Sequence, residues 1–206
     1  MKVLPFLIER SWNTMSHFFA YLSRMKFIQR WGLMRNTQNE NIQEHSLQVA
    51  VIAHALAIIR NKYFNGNLNP ERVVTLAVFH ETSEVITGDL ATPIKYFNPD
   101  IKKAYKNIEE IANTRLLKML PDELTEVYHA LLFHEYEDVD CWKIVKAADK
   151  ICAFLKCIEE TKAGNREFNK AMESIQQEIS NMVEPEIKYF MTTFVPSFQL
   201  TLDELN

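Results

Sequence analysis

Two histidines and two carboxylates fall where apolar helix faces should point inward, and they are His45, His80, Glu81 and Asp149. A polar side chain in such a position is costly unless it has a partner. Imidazole nitrogen and carboxylate oxygen are common mixed ligands of borderline divalent cations. The four side chains could satisfy one another through one metal ion, which would favour a hydrolase. Hydrogen-bonded core histidines and paired core carboxylates are the alternative interpretation.

Helical spacing places these residues in apolar stripes. The stripes are His45, Val49, Ile52, Leu56 and Ile59; then Val73, Leu76, Ala77 and His80; then Val145, Ala148, Asp149, Cys152 and Leu155. Glu81 lies about 100° around its helix from His80. Three of the four candidate ligands are therefore predicted to face the core, from three different helices.

Helical periodicity dominates the whole chain, and no strand alternation is convincing. Only four glycines occur in 206 residues, and no Gly-rich nucleotide loop is present. Breakers and caps predict helices over residues 14–29, 41–60, 70–87, 99–119, 122–135, 141–163 and 167–193. We therefore expect an all-α, single-domain helical bundle over residues 14–206, preceded by an N-terminal extension of residues 1–13.

Composition excludes several classes of partner. A net charge of −4 without a basic run argues against binding a nucleic-acid polymer. The absence of 18 consecutive apolar residues argues against a membrane span. The three cysteines match no zinc motif or disulfide framework, and Cys152 lies in an apolar stripe. Reduced cysteines are typical of a cytoplasmic protein.

The chain resembles the bacterial 5′-deoxynucleotidases of the YfbR type, which are HD-domain metal-dependent phosphohydrolases. The resemblance covers Ser16 onward and includes NIQEHSLQVAVIAHAL, HETSEVITGDLATPIKYFN and KAADKICAFLKCIEE. It implies an HD-domain bundle, a homodimer and one divalent ion, for which Co²⁺, Mn²⁺, Fe²⁺ and Zn²⁺ all suit the ligands. It also implies hydrolysis of deoxyribonucleoside 5′-monophosphates to deoxynucleoside and phosphate, with tolerance of different bases.

The resemblance assigns a role to each matching position. His45, His80, Glu81 and Asp149 would hold the metal. Arg30 would orient the phosphate, and Trp31 would crowd the 2′ position of the sugar. Glu84 would transfer a proton. The nucleotide-contacting loop would be Asp89, Leu90, Ala91 and Thr92.

Two positions depart from the family pattern. The second motif is usually His-Asp, but here Glu81 follows His80 and is one methylene longer. Three outcomes are open: an active enzyme with adjusted geometry, a changed metal preference, or a nucleotide-binding protein with weak or lost hydrolysis. We expect activity, because Arg30, Trp31 and Glu84 are retained. Ala91 replaces a frequent proline, and we expect little effect from this change.

Overall fold

The computed structural model describes residues 15–91, 94 and 97–205, and the described residues form helices without a β-strand. The α-helices are α1 Phe18–Leu22, α2 Ile42–Tyr63, α3 Pro70–Phe79, α4 Glu84–Thr87, α5 Pro99–Leu117, α6 Asp122–Leu132, α7 Val139–Lys162, α8 Asn169–Ser180 and α9 Pro185–Thr193. The predicted all-α architecture is confirmed. The predicted extension over residues 1–13 lies outside the described residues.

Helix α2 is the centre of the bundle and packs against α3, α7 and α9. Its predicted stripe is buried along its whole length, from His45 to Ile59. By length and composition α2 could also cross a membrane, but 56% of its most apolar stretch is buried inside the protein. Such burial is usual for a core helix. Cys152 is fully buried on α7, as predicted.

Local capping fixes where the site-bearing helices begin. The Asn41 side chain accepts hydrogen bonds from the backbone N–H groups of Gln43 and Glu44, and the Glu44 side chain accepts one from the Asn41 N–H. This reciprocal capping box places His45 in the first turn of α2. Helix α3 begins with Pro70 after an Asn69 cap, as predicted.

The predicted continuous helix over residues 70–87 is wrong, because α3 ends at Phe79 and residues 80–83 form a turn before α4. The Thr82 hydroxyl donates to the carbonyl of Phe79 at 2.6 Å and so competes with the helical hydrogen-bond pattern. Helix α4 then ends at Thr87 and is followed by Gly88, whose φ of 73° suits glycine. His80 and Glu81 thus lie in a turn between two helices.

Two further predicted helices are also interrupted. The helix expected over residues 167–193 divides into α8 and α9, because Pro185 lacks an N–H and holds Glu184 in an extended conformation. The helix expected over residues 14–29 is only α1 followed by a 3₁₀ turn at Ser23–Phe27. Ile28 is already extended, so the chain turns there toward the site.

The loop between this 3₁₀ turn and α2 is closed at its base and anchored at its tip. Gln29 and Asn41 form an antiparallel bridge at the base. At the tip, the buried Glu160 of α7 accepts hydrogen bonds from the backbone N–H and hydroxyl of Thr37, at 2.9 and 2.7 Å. Glu160 also pairs with the buried Lys156. The loop is therefore held against α7 by a buried ion pair.

This anchor makes a pH-dependent contribution to stability. Burial alone would raise the pKa of Glu160, but hydrogen bonds from Lys156, Thr37 and Asn165 lower it from 4.5 to about 2. A lowered carboxylate pKa stabilises the fold above the unfolded value and loses that contribution as the pH falls toward the folded value. We expect the stability advantage of the wild type over Glu160→Gln to shrink by about 2 kcal/mol between pH 6 and pH 3.

Urea denaturation of both proteins at the two pH values measures this change. Glu159→Gln is the control, because Glu159 is exposed and its pKa is raised. Its replacement should not reproduce the decrease in the stability difference between pH 6 and pH 3. A wild-type advantage over Glu160→Gln that stays constant from pH 6 to pH 3 would contradict the prediction.

Candidate active site

The turn after α3, the start of α2 and the middle of α7 bring four side chains to one point. One ligand atom from each of His45, His80, Glu81 and Asp149 lies within 4.8 Å of the others. His45 Nε2 lies 2.9 Å from Asp149 Oδ1, and His80 Nε2 lies 3.3 Å from Glu81 Oε1. Ligands at about 2.1 Å from one ion are about 3 to 4 Å apart. A closure of less than about 1 Å would therefore fit the group to one cation.

The hydrogen bonding of His80 supports a cation at this point. His80 Nδ1 donates to the carbonyl of Ala77 at 2.7 Å, which leaves Nε2 with a lone pair. His80 Nε2 is buried and lacks a hydrogen-bond partner among the described residues. In the neutral ring it opposes the Glu81 carboxylate as a second acceptor, and a proton on Nε2 or a metal ion at this point relieves that opposition. A backbone carbonyl behind a histidine is the usual outer partner of a metal-ligating imidazole.

The charges of the group match those of metal ligands. Burial alone would raise the pKa of Asp149, but the hydrogen bond and charge of His45 lower it to about 2. Burial would likewise raise the pKa of Glu81, but the charge of His80 holds it well below its usual range. Both carboxylates are therefore ionised at neutral pH and available to a cation.

The carboxyl group of Glu84 lies beside these two carboxylates, and its pKa is shifted in the opposite direction. It is 4% exposed on α4, and its Oε2 lacks a hydrogen-bond partner among the described residues. Burial and the negative charge of Glu81 raise the pKa of Glu84 to about 11. Two neighbouring carboxyl groups whose pKa values are pushed apart form an arrangement suited to acid–base chemistry. Glu84 is the protonated partner of the two.

Arg30 and Trp31 approach the same point from the closed loop. Arg30 Nη1 lies 3.8 Å from Glu81 Oε1. Trp31 has a φ of 59°, its backbone N–H donates to Asp89 Oδ2 at 3.2 Å, and its ring packs on Phe168 with centroids 5.3 Å apart. A positive φ is unfavourable for a non-glycine residue and persists only where its surroundings hold it. The Trp31 ring is thus fixed beside the carboxylate group.

A cavity of about 660 Å³ opens beside these side chains. This volume lies in the usual range for small-molecule sites. The predicted residues that line it are Arg30, Trp31, Glu81, Glu84, Asp89, Leu90, Ala91 and Asp149. Thr92, which was predicted with them, lies outside the described residues. The far wall comes from α7 and α8, with Ala153 and Ile175, and from Met34 in the loop before α2.

Sequence reasoning missed Glu40. Its carboxylate accepts hydrogen bonds from Arg30 Nε at 3.1 Å and from Trp31 Nε1 at 3.3 Å, and its other oxygen faces His45 Nδ1 at 3.7 Å. Glu40 lies in an Asn-rich loop, where an acidic residue is ordinarily solvated. The signal that could have found it is its position just before the capping box of α2, at the base of a loop that carries Arg30.

Comparisons with known proteins agree with this geometry. The family described as 5′-deoxynucleotidase YfbR-like matches residues 17–198. A 5′-deoxynucleotidase of Vibrio cholerae is 57% identical over 93% of this chain and 98% of its own. A 5′-deoxynucleotidase of Yersinia pestis is 55% identical over the same shares.

Solved structures with lower identity share the fold. An HD-domain phosphohydrolase of Listeria innocua has a TM-score of 0.78 at 22% identity and covers 88% of both chains. The HD phosphohydrolase DatZ of cyanophage S-2L, solved with dA and one catalytic Zn²⁺, has a TM-score of 0.58 at 18% identity, covering 86% of this chain and 96% of its own. With its fold, its cavity and its relatives above 50% identity, the chain belongs to the YfbR-like family of 5′-deoxynucleotidases.

Proposed function

We propose that this protein is a metal-dependent 5′-deoxynucleotidase, which hydrolyses deoxyribonucleoside 5′-monophosphates to deoxynucleoside and phosphate. The observation that carries the proposal is the convergence of four candidate ligands beside a cavity, which two of them, Glu81 and Asp149, line together with Arg30, Trp31 and Glu84. Relatives named 5′-deoxynucleotidase, at over 50% identity along nearly the whole chain, support the substrate class.

Each side chain has a part in this proposal that its chemistry suits. His45, His80, Glu81 and Asp149 would hold one divalent ion. A bound ion would lower the pKa of a water molecule and so supply a nucleophile at neutral pH.

The remaining residues would hold the substrate and move a proton. Arg30 would hold phosphate oxygens with its planar fork of donors. The fixed Trp31 ring would exclude a 2′-hydroxyl by size. The buried carboxyl of Glu84 would give its proton to the leaving 5′-oxygen or exchange one with the attacking water. Asp89, Leu90, Ala91 and Thr92 would contact the nucleotide.

The donor set suits Co²⁺, Mn²⁺, Fe²⁺ or Zn²⁺. The longer Glu81 side chain does not carry its carboxylate away, because its Oε1 lies within 3.3 Å of His80 Nε2. This contact favours an active site over the alternative, a nucleotide-binding protein whose hydrolysis Glu81 has weakened or removed. We also expect tolerance of different bases, a cytoplasmic location and a homodimer.

A panel of metals and substrates tests the proposal. With Co²⁺ or Mn²⁺ added, the wild type should release phosphate from dAMP and dTMP with a kcat/KM at least about 10-fold above that for AMP, because in this proposal the Trp31 ring would crowd a 2′-hydroxyl. Glu81→Asp, measured beside it, should stay within about 10-fold of the wild type.

Two results would decide against parts of this proposal. Phosphate release confined to Glu81→Asp would establish the nucleotide-binding alternative. Equal rates for dAMP and AMP would overturn the role of Trp31 while leaving the phosphatase activity intact. Phosphate release is measured with a colorimetric assay, and binding of dAMP is measured separately by calorimetry.

A further inference from the structure

The carboxylate of Glu40 lies between the candidate metal ligands and the Arg30–Trp31 pair. Glu40 Oε2 accepts from Arg30 Nε and Trp31 Nε1, whereas Glu40 Oε1 faces His45 Nδ1 at 3.7 Å. The Glu40 side chain is 12% exposed, so water competes little for these contacts. Its backbone is fixed as well, because the Arg30 N–H donates to the Glu40 carbonyl at 2.9 Å. Both the backbone and the side chain of Glu40 are therefore held in place.

The contact with Arg30 determines which edge of the guanidinium faces the cavity. Glu40 engages the Nε of Arg30, and the terminal Nη1 is left pointing toward Glu81 at 3.8 Å. A guanidinium recognises phosphate through paired donors along one edge. With Nε occupied, the edge formed by the two terminal nitrogens is the one available to a phosphate.

The contact with Trp31 fixes the rotation of the indole. The backbone of Trp31 is already held at a φ of 59°, with its N–H on Asp89. The tilted packing on Phe168 constrains one face of the ring. The hydrogen bond from Nε1 to Glu40 adds the polar contact that distinguishes one edge of the ring from the other.

The position facing His45 is that of an outer carboxylate behind a metal-ligating histidine. Such a carboxylate keeps the proton on the far nitrogen and leaves the near nitrogen free to ligate. His45 Nε2 lies 2.9 Å from Asp149 Oδ1, on the side of the ligand group, and Nδ1 points to Glu40. The 3.7 Å separation from Glu40 exceeds a hydrogen bond by about 0.7 Å, a movement that a small side-chain rotation provides.

We propose that Glu40 is a positioning residue that couples the metal ligands to the Arg30–Trp31 pair. Loss of its carboxylate should lower metal affinity and sugar discrimination together. The expected loss of metal affinity depends only on the candidate ligand group. The expected loss of sugar discrimination rests on the function proposed above.

Glu40→Ala and Glu40→Gln test the coupling. Glu40→Ala should weaken Co²⁺ binding by about 10- to 100-fold, measured by isothermal titration calorimetry. At saturating Co²⁺ it should raise the KM for dAMP more than it lowers kcat and reduce the preference for dAMP over AMP. Glu40→Gln conserves the shape but offers one acceptor and one donor, so it should impair at least one of the two properties. If Glu40→Ala does not fold, Glu40→Gln provides the test, and a Glu40→Gln protein with unchanged Co²⁺ affinity and unchanged preference for dAMP would overturn the proposal.

Glu160→Gln is the matched control, because Glu160 anchors the tip of the same loop through Thr37. It should lower stability and leave Co²⁺ affinity and the dAMP preference within about 2-fold of the wild type. The coupling is overturned if Glu160→Gln changes both properties as much as Glu40→Ala, or if Glu40→Ala changes only one of them. A wild type that releases no phosphate would refute the proposed function, and Co²⁺ affinity would still test the contact with His45.

Discussion

Asp149→Asn should reduce phosphate release from dAMP by at least about 100-fold, because it removes one of the two anionic ligands from the candidate metal group. Asparagine keeps the shape of the side chain and one oxygen, but it cannot supply the charge that balances a divalent ion. Asp149 has a pKa of about 2, so its charge is present throughout the neutral range. Calorimetry with Co²⁺ should show a matching loss of metal affinity.

Asp140→Asn is the control for this change. Asp140 lies on the same helix, is exposed and pairs with Lys143 at 2.8 Å. Its replacement should leave metal affinity and turnover unchanged. An Asp149→Asn protein that binds Co²⁺ as tightly as the wild type would refute the assignment of Asp149 as a ligand.

Glu84→Gln should lower kcat for dAMP by about 10²- to 10⁴-fold, the usual range for loss of a proton-transfer group. The amide can replace the shape and the hydrogen bonding of the Glu84 carboxyl, but it carries no proton that it can transfer. Glu84 contacts Glu81 and lines the cavity. Because the four candidate ligands all remain, metal affinity and KM should change by less than about 3-fold.

A comparison of Glu84→Gln with Asp149→Asn tests the two roles more sharply than either variant alone. Glu84→Gln should lose turnover and keep the metal, whereas Asp149→Asn should lose both. If Glu84→Gln retained the kcat of the wild type, Glu84 would have no role in proton transfer. If it lost metal affinity as well, Glu84 would be a structural support for Glu81. Steady-state kinetics and Co²⁺ calorimetry on the same preparations separate these results.

Apolar spacing predicted the all-α fold and the inward direction of His45, because a stripe of residues along one helix depends only on the helical period. The caps at Asn69 and Pro70 were predictable for a similar reason, since they act within one turn. The candidate metal group was also within reach of the sequence. Polar residues in apolar stripes drew attention to three of its members, and Glu81 entered the group as the carboxylate adjacent to His80. The family resemblance then assigned the ligand role to all four.

Other features depend on contacts between distant segments. The hydrogen bonds of Glu40 to Arg30 and Trp31 arise only after the loop closes through the bridge between Gln29 and Asn41. The division of the predicted helix over residues 167–193 reflects Pro185, whose local effect outweighs the apolar pattern around it. Periodicity describes one helix at a time and contains no information on how loops return to it.

The break between α3 and α4 bears on how this chain accommodates the longer side chain of Glu81 in the candidate metal group. In an uninterrupted helix, the backbone N–H and C=O groups of this segment would all be hydrogen-bonded within the helix. Glu81 could then adjust only by changing its side-chain rotamer. Here Glu81 lies in a turn with looser bonds, such as the 3.5 Å contact between the His80 N–H and the Ala77 carbonyl. A backbone of this kind can tilt by a fraction of an ångström without breaking a helix. The turn thus leaves room for a carboxylate on a side chain that is one methylene longer than aspartate.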